Sequence, residues 1–297
     1  MKIAISGTGG LVGSALKREL AARAYVISEI TRQRRAKQPG SIYYDLKQKT
    51  IDLAAFEGQD VVIHLAGANI SGKRWSSAYK KEILDSRVES TAVLVKAMKK
   101  LTRRPKLFIC ASAVGYYGNH DPSVIVHEHS QNGHGFLADV TREWENASAE
   151  LVNLGVRVVH LRFGVILSRK GGALAKMLPA FNLGLGGVLG SGQQMMSWVA
   201  LDEISSIVDF IINHDNISGP VNAVSPQAVT NQMFTKVLGE AIHRPTVFPV
   251  PAFMIKLLFG QMGQELLLEG VHVKPEVLLK AGYQFKYPTL IQALNAA

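Results

Sequence analysis

The chain has 297 residues, 47% of them hydrophobic and only 19% charged, which excludes a long disordered tract and allows a sizeable buried core. Its formal net charge is +10, concentrated at Arg32-Gln33-Arg34-Arg35-Ala36-Lys37 and around Lys99 to Lys106. No nucleic-acid motif and no basic groove interleaved with aromatics accompanies these clusters, so a nucleic-acid partner is not expected and a phosphorylated small molecule fits the charge better.

The first six residues, Met1 to Ser6, read as a short buried strand, and Gly7-Thr8-Gly9-Gly10-Leu11-Val12-Gly13 follows at once. A helical pattern opens with Ser14-Ala15-Leu16. Strand, glycine-rich turn and helix together place a pyrophosphate on a helix N-terminus, where unpaired amides and the helix dipole favour an anion. Gly7 permits the tight turn, Gly9 or Gly10 lets the backbone approach the phosphates, and Gly13 lets the helix pack close on the sheet. A dinucleotide site is the reading this context supports.

Tyr25 to Ile30 is the second strand, ending at Thr31-Arg32. An acidic residue about 20 positions beyond the glycines marks a free ribose 2′-OH, whereas an arginine there suits a 2′-phosphate. Glu29 comes too early and should lie within the sheet, while Thr31 and Arg32 close the strand with Arg34 and Arg35 behind. The charge therefore favours NADP (NADPH) over NAD.

Ile42 to Leu46 is a third strand and Asp60 to Ala68 a fourth, apolar throughout as a doubly covered parallel strand should be. His64 within it reads as a satisfied core histidine. From Ser76 to Lys100 the apolar positions Ile83, Val88, Val95 and Met98 recur at helical spacing. Glu82 and Arg87 on that helix either face the cofactor cleft or pair at the surface.

Lys106 to Ala111 is the fifth strand, holding the single cysteine, Cys110, as a core residue; an intrachain disulfide is excluded and a reducing cytoplasm is the expected home. It runs into Ser112-Ala113-Val114-Gly115-Tyr116-Tyr117-Gly118, and an open α/β sheet puts its chemistry at such a C-terminal strand end. The stretch from Asn119 to Gly135 reads as a solvated polar loop. His127-Glu128-His129 within it lacks a second ligand cluster, so no metal is expected.

Phe136 to Leu154 reads as a helix with Trp144, Ala147 and Leu151 on one face, and Val156 to Arg162 as the sixth strand. The alternation predicts a Rossmann-type α/β fold, a doubly wound parallel sheet over residues 1–165, with about 200–225 returning to it. A smaller C-terminal α/β substrate lobe takes 166–199 and 226–297. Within these parts, Ala173 to Phe181 is an apolar helix among glycines, Asp202 caps another helix, and Phe253 to Phe259, which could suggest a membrane-surface helix, reads better as a buried or substrate-lid helix. No run reaches the roughly 18 apolar residues of a membrane span, and glycines interrupt the N-terminus where a signal peptide needs a helical core. A membrane partner is not expected.

The combination of motifs resembles the extended short-chain dehydrogenases/reductases, the group of nucleotide-sugar epimerases and dehydratases. Its carriers are Gly7-x-x-Gly10-x-x-Gly13, His64-Leu65-Ala66-Gly67, Ser112 with Tyr116-Tyr117-Gly118, Leu161-Arg162-Phe163-Gly164, and Gly190-Ser191-Gly192 with Trp198 to Asp202. Lys73-Arg74-Trp75, Arg142-Glu143-Trp144-Glu145, Gly184 to Gly187 and Ala281-Gly282-Tyr283-Gln284-Phe285 are similar to an atypical epimerase-like subfamily with a C-terminal extension.

The resemblance implies an NADP-dependent epimerase or oxidoreductase acting on a carbinol or carbonyl carbon of a small molecule such as a nucleotide sugar. It implies that Thr31 and Arg32 hold the 2′-phosphate, that Leu65, Ala66 and Gly67 line the cofactor, and that Glu82, Arg87 and Arg162 contact it. It also implies a homodimer through a helix pair, a surface that nothing in the sequence marks. The superfamily's Tyr-x-x-x-Lys pair is replaced by Phe136 and Val140. Ser112 remains as the expected catalytic serine, although an ungapped match puts Ala113 in its place. Tyr116 or Tyr117 either substitutes as the acid/base or lines the pocket. With the usual proton-transfer pair gone, a cofactor-binding sensor or scaffold is the competing expectation.

Overall fold

The computed structural model describes residues 1–32 and 40–296, so Arg34 and Arg35 lie outside the described residues. The first half alternates β1 (Lys2–Ser6), α1 (Leu11–Ala22), β2 (Val26–Thr31), β3 (Ser41–Asp45), β4 (Thr50–Ile51), α2 (Leu53–Phe56) and β5 (Val61–His64). It continues through α3 (Ser77–Met98), β6 (Leu107–Ala113), β7 (Ile125–Val126), α4 (Phe136–Asn146) and β8 (Arg157–Phe163). Next come β9 (Val165–Leu167), α5 (Gly172–Asn182), β10 (Met195–Met196), β11 (Trp198–Ala200), α6 (Leu201–Ile212), β12 (Gly219–Ala223) and β13 (Val229–Thr230). The last part holds α7 (Asn231–Ile242), α8 (Ala252–Phe259), α9 (Gln261–Gly263), β14 (His272–Val273), α10 (Glu276–Lys280) and α11 (Leu290–Ala296).

Eight strands form one sheet in the order β12-β8-β6-β5-β1-β2-β3-β4. All its pairings are parallel except β3 with the edge strand β4. The chain winds outward from β1 to β3, then returns to β1's other side at β5. That reversal opens a crevice beyond the strand ends, where doubly wound sheets bind ligands.

Alternation along each parallel strand sends side chains to two cores. Ile3, Ile5, Ile109 and Leu161 pack with α1 and α6 on one face, while Ala4, Val62, Phe108 and Cys110 pack with α3 and Trp144 on the other. β12 and α6 thus pack with the first half of the large sheet, and so do Leu278 and Tyr283 near the C-terminus, which join the α1/α6 core. The smaller lobe has a core of its own around Phe181, Trp198, Phe234 and Leu294. Among the described residues no helix is long and apolar enough to cross a membrane.

Four local expectations are corrected. The fourth strand ends at His64, and Leu65 to Ala68 follow as irregular chain. The helix from Phe136 stops at Asn146, and Ala149–Leu154 is a 3-10 turn. Asp202 is no cap: α6 begins at Leu201 with Ala200 as its N-cap, and Asp202 lies in the first turn. The segment Phe253 to Phe259 is helical, but of its residues only Ile255 is buried, which overturns the buried alternative and not the lid.

The tightest constraint is between β1's turn and α1. A Cβ added at Gly13 would lie 2.2 Å from the Gly7 carbonyl oxygen, a backbone atom that cannot yield. Gly13→Ala is therefore expected to destabilise the fold by about 3 kcal/mol, lowering the midpoint of thermal unfolding by about 6 °C or more. An unchanged midpoint would show that α1 can lift from the turn freely.

Candidate functional site

The site is built on main chain first. Gly7 has φ +76°, a left-handed conformation that glycine adopts without cost. The Gly10 amide donates to the Gly7 carbonyl at 3.0 Å, closing the turn. Gly10 is the N-cap of α1 and no side chain caps the helix, so its first amides remain available to an anion. A Cβ at Gly9 would meet nothing within 4 Å, so the turn is open on its outer side. Leu11 leaves the cradle and packs against Gly171 and Gly172 at the start of α5, while Val12 packs against the α1/α6 core.

The exit of β5 forms the opposite wall. Ser6 Oγ accepts from the amides of Leu65 at 3.2 Å and Ala66 at 3.4 Å, and pairs with His64 Nδ1 at 2.6 Å. Ser90 Oγ donates to the Ser86 carbonyl at 2.7 Å and sits 2.9 Å from His64 Nε2. With Ser90's proton committed and Ser6 already accepting, the imidazole carries its proton on Nε2 and accepts from Ser6 at Nδ1. Burial, aided by the nearby Arg87 cation, holds the His64 pKa down at about 3. The histidine is therefore a neutral strut beneath Leu65 and Ala66, a structural part rather than an acid/base.

Arg87 backs this wall. Its guanidinium lies beside Gly67, donates to the Ile83 carbonyl at 3.0 Å and sits 5.0 Å over the Trp144 ring. Burial lowers its pKa to about 10, which leaves it charged at neutral pH. Glu82 is exposed on α3. At the end of β2, Arg32 is exposed and Thr31 partly so. Glu29 lies within β2, and its carboxylate accepts from Thr8 Oγ1 at 2.6 Å and Lys17 Nζ at 2.5 Å. It is thus tied back to α1 and the turn, and Arg32 stands at the strand end without that acid.

Beyond β6 two of the three predicted catalytic residues, Ser112 and Tyr117, fall into one buried network. Ser112 Oγ donates to Glu145 Oε1 at 2.6 Å. Arg162 grips the same carboxylate at two points, Nε to Oε1 and Nη2 to Oε2, both at 2.8 Å. Its Nη1 donates to the Tyr117 hydroxyl at 2.9 Å and the Glu128 carbonyl at 3.2 Å. Tyr117 in turn donates to Asn222 Oδ1 at 2.7 Å, and burial pushes its phenol up to about 12 against the pull of Arg162. Burial opposes the Arg162 charge, but the two-point bond to Glu145 outweighs it and raises the pKa.

Tyr116 differs from its neighbour. It is half-buried, its ring lies 3.5 Å beneath the Arg162 guanidinium, and its hydroxyl has no hydrogen-bond partner among the described residues. Phe136 and Val140 lie in an apolar cluster with Tyr79, Ile83 and Trp75. The Phe136 ring meets Trp75 edge-on at 4.9 Å, with Lys80 Nζ at 5.2 Å.

The sequence reading missed three acids. Glu145 anchors the Arg162 network and is one residue past Trp144, in a motif that marked the subfamily but had no role assigned. Glu128 is buried, which corrects the solvated-loop expectation: its carboxylate accepts the amides of Asn222, Glu276 and Val277. Glu265 accepts the Phe136 and Leu137 amides at 3.3 and 3.0 Å, capping α4 from the C-terminal extension. Gln261 bonds Glu265, and Lys80 bonds Gln261, so the same contact borders Phe136.

Residues 3–224 match the NAD dependent epimerase/dehydratase family, and residues 250–297 match a domain of unknown function, DUF1731. The chain belongs to the NAD-dependent epimerase/dehydratase family. It is 40% identical to an epimerase family protein of Mycobacterium bovis, over 99% of this chain and 97% of that one. The crystal structure of human epimerase family protein SDR39U1 with NADPH superposes with a TM-score of 0.89 at 32% identity, covering 100% of this chain and 98% of that one. A nucleoside-diphosphate sugar epimerase from Corynebacterium glutamicum superposes with a TM-score of 0.81 at 31% identity, covering 99% of this chain and 57% of that chain.

Two outcomes test this geometry. Glu145→Leu strands a buried guanidinium and should cost about 3–5 kcal/mol in urea unfolding, while adding Arg162→Met should recover part of the loss. A double variant as unstable as the single one would contradict the pairing. The second outcome concerns pH. A His64 pKa depressed from 6.5 to about 3 adds stability that is complete above pH 6.5 and is lost as pH falls toward 3. The stability gap between the wild type and His64→Asn should therefore narrow on acidification below pH 6.5, as read by thermal unfolding across pH.

Proposed function

We propose that the chain binds NADP(H) at the β1–α1 turn and acts on a carbinol or carbonyl carbon of a small molecule of the nucleotide-sugar kind. The carrying observation is the uncapped start of α1 above an open Gly9, which fits a diphosphate approached by backbone amides. Arg32 at the end of β2, with Glu29 tied back to Thr8 and Lys17, suits a 2′-phosphate better than a free hydroxyl. The human relative's NADPH complex and the Corynebacterium relative's description support the same reading.

Bound there, the nicotinamide would supply or accept a hydride. The chain's own part is to hold the cofactor on Gly7 to Gly13, wall it with Leu65, Ala66 and Gly67, and manage a proton without the Tyr-x-x-x-Lys pair. Tyr116 is the residue we assign to that proton. Its hydroxyl is unclaimed, whereas the Ser112 and Tyr117 hydroxyls are committed to Glu145 and Asn222. The Arg162 guanidinium 3.5 Å over its ring holds the phenol in place. Ser112, Tyr117 and Arg162 then serve by fixing Tyr116 in place.

A second reading, a cofactor-binding sensor or scaffold without turnover, draws on one observation: Phe136 and Val140, which stand in for the usual tyrosine and lysine, carry no group to move a proton and pack in an apolar cluster. Fluorescence titration should show tighter binding of NADPH than NADH. Arg32→Glu should weaken NADPH tenfold or more, the loss of about 1.5–3 kcal/mol expected for a charged hydrogen bond; tighter NADH binding would overturn the cofactor assignment. Turnover of nucleotide sugars or simple carbonyls that falls in Tyr116→Phe, with NADPH affinity kept, supports the enzyme. Tight NADPH binding without turnover across that panel favours the sensor.

A further inference from the structure

The smaller lobe carries large apolar side chains on its outside. On α8 a step of 100° per residue gathers Phe253, Met254, Leu257 and Leu258 on one side of the helix. Phe253 is 69% exposed, Leu257 73% and Leu258 60%, while Ile255 on the opposite side is buried. The helix is apolar on both sides: Ile255 packs inward, and the wider apolar side faces out.

Two neighbouring segments extend this surface. The loop after α5 runs beside the chain entering α8, joined by a bridge between Leu189 and Val250 and by Arg244 Nε donating to the Asn182 carbonyl at 2.9 Å. Leu185 on that loop and Phe248 on the entry to α8 are 55% and 53% exposed. Scattered exposed apolar residues are ordinary, but a contiguous group of this kind marks a binding surface.

Charge identifies what it binds. No Asp or Glu occurs between Glu150 and Asp202, or between Glu240 and Glu265, the two segments that build this face. Lys256 lies on α8, Arg244 at the loop junction, and Arg74 packs against Gly260 at the helix end. All three are exposed and none forms a salt bridge among the described residues. A second copy placed on this patch by a two-fold axis would bring like charges together. Anionic lipid headgroups would meet the cations while the acyl boundary accepts the apolar side chains.

We propose that the outer side of α8, with Leu185 and Phe248, docks the protein on an anionic bilayer surface, and that Lys256, Arg244 and Arg74 face the lipid phosphates. The sequence reading expects no membrane partner because it packs this helix inward or over a substrate; the exposed side of α8 is the reason to depart from it. The attachment is peripheral, since two helical turns cannot span a bilayer.

Co-sedimentation of the full chain with phosphatidylcholine vesicles, with and without phosphatidylglycerol, tests this. Binding should be about tenfold or more stronger with phosphatidylglycerol, weaken at high salt, fall in Lys256→Glu/Arg244→Glu, and disappear in Leu257→Asp/Leu258→Asp. These positions are exposed, and unchanged thermal unfolding and NADPH titration would confirm that the variants are folded. The proposal is overturned by no binding to phosphatidylglycerol vesicles, or by equal binding of the Leu257→Asp/Leu258→Asp variant. It is also overturned if light scattering shows a dimer that this variant dissociates, because the patch then belongs to a second copy.

Discussion

The closeness of α1 to the end of β1 governs the site. With no side chain at Gly13 the helix rests on the Gly7 carbonyl, and its first amides point beyond the strand ends. Any thicker residue would lift the helix and move those amides away from the crevice. The opposite wall obeys a similar rule: Ser6, His64 and Ser90 hold the exit of β5 by hydrogen bonds on its buried side, which leaves Leu65, Ala66 and Gly67 to face the cleft. A cradle made of backbone does not depend on the side chains at Phe136 and Val140, so binding and proton transfer can vary independently in this fold.

Carboxylates hold the remainder together, and they act on backbone as often as on cations. Glu145 fixes Arg162 and Ser112 under the floor of the cleft. Glu128 joins β12 to the start of α10, and Glu203 on α6 accepts the amides of Lys286 and Tyr287. Charge-assisted bonds of this type are stronger than neutral ones. Each one links segments far apart in sequence, and each is shielded from water by the apolar layers around it. The ion pair of Arg162 and Glu145 also explains why a basic residue at the end of β8 need not contact a phosphate: its charge is already answered within the protein.

What could be read from the sequence was local. The β1 turn, the strands of the sheet and α3 follow from glycine placement and from periods of two and 3.6, which act within a few residues. His64 was legible as a core histidine because an apolar parallel strand leaves it no solvent. The partners of Glu128, Glu145 and Glu265 were not legible, since each contact spans a distance that no local pattern encodes. Asp202 looked like a cap because an acid near a helix start has that role when it comes one residue before the helix, and α6 starts one residue too early. Ser112 shows the limit for catalytic residues: a strand fixes that its side chain alternates with Ala113, but not which of the two turns toward the buried acid. For α8, composition identified an apolar helix, and only the packing of Ile255 showed which side faces the protein.

Glu265 gives the C-terminal extension a meaning that its position in the chain conceals. The family match ends at residue 224 and a second begins at residue 250, a division that invites treating the tail as a detachable module. Yet the tail supplies the cap for α4, places Leu278 and Tyr283 in the α1/α6 core, and anchors Lys286 and Tyr287 on Glu203. Cutting the chain between the two matches would leave helix amides without an acceptor and a core face without its cover. The boundary between the two matches is therefore no boundary of packing: the tail contributes to the α1/α6 core through Leu278 and Tyr283 and to the smaller core through Leu290 and Leu294.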